Sequence, residues 1–132
     1  MRARLIRATL TASTLGVLST ACTSNATTTD PNSIVFPDTL VSYQNHVDPF
    51  LTLRCGGPCH AGPDPAGGID LTLYNNLFFD RPNLVVSGKP DESLLCQVLE
   101  RVIGHAPGQL ETIPSNQVQG VRQWVLEGAQ NN

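Results

Sequence analysis

The sequence predicts an all-α domain. Two apolar stripes at helical spacing carry that expectation: Leu94, Leu95, Val98, Leu99, Val102 and Ile103 form one, and Val118, Val121, Trp124 and Val125 form the other. No stretch alternates apolar and polar residues as a half-buried strand does. The 132 residues suffice for one domain. Aromatic residues make up only 5% of them, with a single Trp. A core built from such side chains alone is modest, and small domains of this kind lean on a disulfide, a metal or a cofactor.

The first residues predict an export signal over 1–21. Arg2, Arg4 and Arg7 form a positive start, and Leu10 to Leu18 form a short, mildly apolar run. That run is far shorter than the ~20 residues a membrane span needs. It ends in Ser19-Thr20-Ala21-Cys22. Small residues before a Cys resemble a bacterial lipobox, with Leu18 one place further from the Cys than usual. The expectation is lipidation of Cys22; the plainer alternative is an ordinary signal with an incidental Cys. Thr23 after the Cys resembles lipoproteins sent to the outer membrane. Without 1–21, five Lys/Arg stand against 11 Asp/Glu, a balance of −6. Such a surface argues against nucleic acid and suits a partner with a basic docking face. Residues 22–37 are rich in Thr, Ser, Asn and Pro and predict a flexible tether to a domain over 38–132.

Within the domain, Leu40, Tyr43, Val47, Phe50 and Leu51 fall at helical spacing between Pro37 and Arg54. Asp38 or Thr39 can cap this helix, and Pro49 is expected to kink or divide it. Residues 55–69 hold five Gly and three Pro and predict a long loop. Residues 71–79 predict a short helix. The helix over 91–103 has Asp91 and Glu92 in its first turn and Gly104 as its stop. A closing helix runs from a Ser115 cap to about Ala129.

The chemistry concentrates in Cys55-Gly56-Gly57-Pro58-Cys59-His60. Covalent haem attachment needs two thiols for the two vinyl groups on one porphyrin edge, and an imidazole placed beside the second Cys to reach the iron. Cys-x-x-Cys-His supplies these; here the spacing is one residue longer, which Gly56 and Gly57 can absorb. From Tyr43 to Ala129 the chain resembles the single-haem class I cytochrome c family. It is most similar to a divergent branch found in bacterial secreted proteins and lipoproteins. The resemblance rests on Val47-Asp48-Pro49-Phe50, the Cys-Cys-His loop, Gly67-Gly68, the turn from Val86 to Leu94, and Trp124-Val125-Leu126-Glu127-Gly128-Ala129.

The resemblance implies a small helical domain around one covalent haem c, held by Cys55 and Cys59 with His60 as proximal iron ligand. It implies electron transfer with redox partner proteins, not an enzymatic reaction. One departure matters. The family's Met-Pro supplies the sixth ligand, but Ile113 precedes Pro114 here, and Met1 is the only Met. His105 is the favoured candidate for the sixth position, ahead of His46. Bis-His ligation sets a lower potential than Met/His. An open sixth position instead makes a ligand-sensing or peroxidase-like haem protein. His60 is expected to donate its other ring nitrogen to a carbonyl of the loop around Pro63 and Pro65.

Two non-haem alternatives stay open. A disulfide within Cys55, Cys59 and Cys96 leaves an odd thiol whichever pair forms. A zinc site from Cys55, Cys59, His60 and either Cys96 or His105 has poor ligand spacing. In the haem reading Cys96 is a small hydrophobe on a helix face.

Overall fold

The structure is a computed structural model that describes residues 29–57, 59–106, 110 and 112–132. The expected signal over 1–21 and Cys22 lie outside those residues. Among the described residues the chain is helical and has no strand.

Pro49 decides how the first helix is wound. Its ring removes an N–H and crowds the carbonyl one turn back. α1 (Asp48–Leu51) therefore sits between two wider π-helical stretches, Tyr43–Val47 and Thr52–Gly56, and the three form one continuous rod. The rod starts later than Asp38 or Thr39 predict: Ser42 is its cap, and Ser42 Oγ accepts from the Asn45 N–H (3.2 Å). Leu40, expected on the apolar face, is 85% exposed with φ 57°. Its N–H and that of Val41 donate to the Glu127 carboxylate at 2.7 and 2.8 Å, a bond across 87 residues that local periodicity cannot register.

The rod ends two residues inside the expected loop, so Cys55 is a helical residue. Further on, Ala66–Gly68 forms a 3-10 turn, and α2 (Asn76–Phe79) is shorter than 71–79. The helix expected over 91–103 divides. Pro90–Glu92 is a 3-10 turn, Ser93 is extended, and α3 (Leu94–Leu99) follows. Ser93 is fully buried; its hydroxyl accepts from the Val86 N–H (2.9 Å) and donates to the Lys89 carbonyl (2.9 Å), pinning that turn to the helix. Arg101, with φ 61°, ends the helix before Gly104 does, and the Val102 N–H folds back onto the Gln97 carbonyl (2.8 Å). Lys89 pairs with Glu92 (3.1 Å) in solvent.

α4 (Ser115–Leu126) closes the fold; Pro114, not Ser115, occupies its cap position. Val121, Trp124 and Val125 share one buried core with Val47, Phe50 and Leu51 of the rod, with the Tyr43 and Trp124 rings 5.6 Å apart. Arg122 ties α4 to Asp91 (2.7 Å) and Glu100 (3.0 Å). Segment 30–36, expected in the tether, belongs to the domain. Ile34 and Phe36 are buried, Phe36 exchanges two hydrogen bonds with the Asn116 amide (3.0 and 3.1 Å), and Gln117 Nε2 donates to the Pro31 and Ile34 carbonyls. Gly120 makes the notch that admits the Phe36 ring; a Cβ there would overlap three of its carbons.

Two tests follow from this packing. Gly120→Ala gains up to about 1 kcal/mol of helix propensity but must expel Phe36, so a net loss of about 1–3 kcal/mol is expected in denaturant unfolding. At Glu127 burial raises the pKa, but hydrogen bonds from Gln123, Val41 and Leu40 outweigh it and hold the carboxyl below its usual 4.5. A depressed folded pKa contributes stability above 4.5 that is lost as pH falls through the lower folded value. Glu127→Gln should therefore lower the unfolding midpoint at pH 7 and flatten its acid-side decline.

Candidate functional site

A cavity of about 470 Å³ opens between the end of the first rod, α3 and residues 103–106, 110 and 113. Its size falls in the range of small-ligand and cofactor pockets. Leu71, Leu84, Leu94, Leu95, Val98, Leu99 and Ile113 give it a carbon wall. Cys55, Cys59, His60 and His105 all line it, so four of the residues singled out in the sequence meet on one surface. Ile113, the residue before Pro114, is on that wall too. His46 is elsewhere: its ring packs on Phe36 at 5.8 Å.

The Cys-Cys-His turn is held by backbone bonds. The His60 N–H donates to the Cys55 and Gly56 carbonyls (3.0 and 2.9 Å), and the Cys59 N–H to Gly56 (3.1 Å). Gly56 lies against Thr72, whose methyl is 2.8 Å from where a Cβ would stand, so the turn closes tightly only with glycine there. The Ala66 N–H reaches the Cys59 carbonyl (2.7 Å) and the Leu71 N–H the His60 carbonyl (2.9 Å), fastening the following loop underneath.

His60 Nδ1 lies 3.1 Å from the Ile69 carbonyl. A carbonyl only accepts, so Nδ1 carries the proton and Nε2 keeps its lone pair for a ligand. The carbonyl expected near Pro63 or Pro65 comes instead from Ile69, beyond the 3-10 turn. The His60 and His105 rings stand 5.9 Å apart, tilted by 42°. One ion between two imidazoles, with metal–nitrogen bonds of about 2 Å, sets ring centroids roughly 6 Å apart.

Cys55 is desolvated by the cavity, which pushes its thiol up to about 12; Arg54 pulls it down and Cys59 pushes it further up. It is thus a protonated thiol at neutral pH and a poor nucleophile unaided. Cys96 is buried on α3, off the cavity wall; burial and then Glu100 raise it to about 12. Cys96 therefore does not join Cys55, Cys59 and His60. Among the described residues no group of three or more His, Cys, Asp or Glu is arranged to hold a metal. The arrangement suits a ligand that brings most of its own metal donors and takes one or two from the protein. Arg54 and Arg81 also line the cavity; Arg81, in the loop beyond α2, is exposed as a solvated loop charge is expected to be, and sequence reasoning missed only the place of Arg54.

Burial, which pushes the Cys55 thiol up to about 12, leaves the reduced chain far less thiolate there than an ordinary thiol has. Its alkylation at pH 8, followed by peptide mass spectrometry, should be slower than a free thiol's and should keep rising above pH 9.

Compared with protein-family models, with curated proteins and with solved structures, the chain matches none.

Proposed function

We propose that this chain is an exported electron-transfer protein of the cell envelope, a small cytochrome c-like domain around one covalent haem c. The observation that carries the reading is the pairing of His60 and His105 across a carbon-walled cavity that also holds Cys55 and Cys59. Two thiols, an imidazole with a free Nε2 and a facing imidazole are the donor set such a group requires.

Bound haem would supply one-electron redox chemistry. The chain's residues do the rest. Cys55 and Cys59 would hold the group through two thioether links; adding each S–H across a vinyl C=C, sulfur to one carbon and hydrogen to the other, would consume no oxidant. His60 would hold the iron through Nε2, with the Ile69 carbonyl fixing its tautomer. His105 would be the second protein ligand to the iron; two imidazoles would hold a lower potential than an imidazole and a thioether. Leu94, Leu95, Val98 and Leu99 on α3 would give that side an apolar wall.

The rest of the proposal concerns place and partners. Lipidation of Cys22 anchors the chain, and the domain packs from about Asp30 onward. The anchor leaves the domain at a high local concentration for redox partners. With a balance of −6 after residue 21, the outer surface suits partners with a basic docking face.

Expression with haem-attachment machinery should yield a coloured, low-spin species. His105→Ala should convert it to high spin and open it to carbon monoxide in the reduced form. A low-spin spectrum unchanged by His105→Ala removes His105 as ligand; a wild-type spectrum that is already high spin assigns the chain to ligand sensing or peroxidase-like chemistry.

A further inference from the structure

Five Lys/Arg follow residue 21, against 11 Asp/Glu, and three of the five gather in one place. Arg54 and Arg81 line the cavity, and Arg101 lines a smaller hollow beside it that shares Ile103, His105 and Leu110. The other two, Lys89 and Arg122, are taken by carboxylates. No Asp or Glu among the described residues lines either space. Of the carboxylates next in sequence to these arginines, Asp80 accepts from the Asp70 N–H (3.0 Å) and Glu100 holds Arg122 (3.0 Å). Arg81 and Arg101 are exposed, and so are Val102, Ile103, His105 and Ala106. The cavity rim is thus a cationic and apolar spot on an acidic chain.

The N-terminal segment fixes which end of the molecule this is. Arg54 Nη2, at the end of the rod, donates to Asn32 Oδ1 (2.7 Å). Gln117 Nε2, in the first turn of α4, donates to the Pro31 carbonyl (2.6 Å), and α4 itself begins two residues after Ile113 of the cavity wall. Eight residues on from Asn32, the Leu40 N–H meets Glu127, just past the last turn of α4. Segment 31–40 therefore starts at the cavity end and runs the length of α4, about 18 Å for its 12 residues. Cys22 lies nine residues before Pro31, a stretch that reaches about 30 Å at most. A lipid on Cys22 thus ties the cavity end to the bilayer and lets the Leu40 end stand farther off. That far end also exposes apolar groups, Leu40 and Leu126, but beside Asp38 and Glu127.

Charge separates the two ends. An anionic leaflet repels the acidic domain as a whole, so nearness to it has to come from the anchor. Once the domain is held there, its free cations are drawn towards the leaflet and its carboxylates away from it. We infer that the cavity rim is a membrane-docking face: Arg81 and Arg101 meet phospholipid phosphates while Val102 and Ile103 rest on the bilayer surface. The cavity of the anchored chain then opens towards its own membrane. The inference rests on lipidation of Cys22, as read above, and does not require haem.

The test places the lipidated full chain in nanodiscs that contain phosphatidylglycerol and a lipid with a nitroxide headgroup. Broadening of the chain's NMR signals, relative to unlabelled lipid, reports which residues lie near the headgroups. Ile103, His105 and Ala106 should broaden more than Leu40 and Leu126. Each cation near an anionic leaflet favours contact about fivefold, so Arg81→Gln and Arg101→Gln together should lower the ratio of docked to undocked chain about twenty-fivefold and abolish that excess. Arg81→Lys with Arg101→Lys keeps both charges and should retain it, which separates charge from any loosening of residues 103–106. Equal broadening at both ends of wild type, or greater broadening at Leu40 and Leu126, overturns the assignment. So does an excess that survives the Gln pair, or one lost from the Lys pair as well. The chain's mass is read first: no lipid on Cys22 overturns the anchoring reading, and this one with it.

Discussion

The packing of Val47, Phe50 and Leu51 against Val121, Trp124 and Val125 holds the molecule together, and the site inherits its geometry from that contact. The six residues are essentially unexposed. Val47, Phe50 and Leu51 lie on the same rod that ends at Cys55 and Gly56, so the first cysteine projects from a helix whose other turns are locked. The turn that follows is bonded back onto the rod's last carbonyls, which places His60 relative to Cys55 without further contacts. The cavity is what remains where α3 and the segment beyond it meet this rod's end. A cofactor held there would meet a prepared thiol, a prepared imidazole and a wall of leucines, and would lose little entropy in ordering them.

Helical periodicity was a good guide wherever burial is one-sided and local. The α4 stripe reads true: Val121, Trp124 and Val125 all face the core, and Gln117 fills a fourth inward place by donating to two carbonyls. It failed where a distant partner outweighs the local pattern. Leu40 has the right spacing to face inward but is turned out, because Glu127 captures its N–H and that of Val41. Val102 extends the α3 stripe on paper yet is 73% exposed, because the chain reverses at Arg101. Residues 30–36 have the composition of a linker, but Phe36 finds the notch at Gly120, 84 positions away, which no window of neighbouring residues reveals.

The site divides in the same way. Cys55, Cys59 and His60 were legible because the chemistry demands them close together in sequence. His105 was legible as one of few histidines in a chain whose only Met is Met1; the structure adds its position across the cavity from His60. The Ile69 carbonyl was not legible, because any backbone carbonyl can serve and only the folded loop selects one. Arg54 escaped notice for a related reason: a charge in a linear sequence looks solvated until the fold shows the apolar space beside it.

The most direct measurement is the intact mass of the chain, matured in a host with haem-attachment machinery and unfolded before weighing. Retention of one haem on wild type, with loss on replacing Cys55 and Cys59 together by Ala, is the predicted result. A wild-type mass equal to that of the polypeptide, with any lipid at Cys22 accounted for, would contradict it.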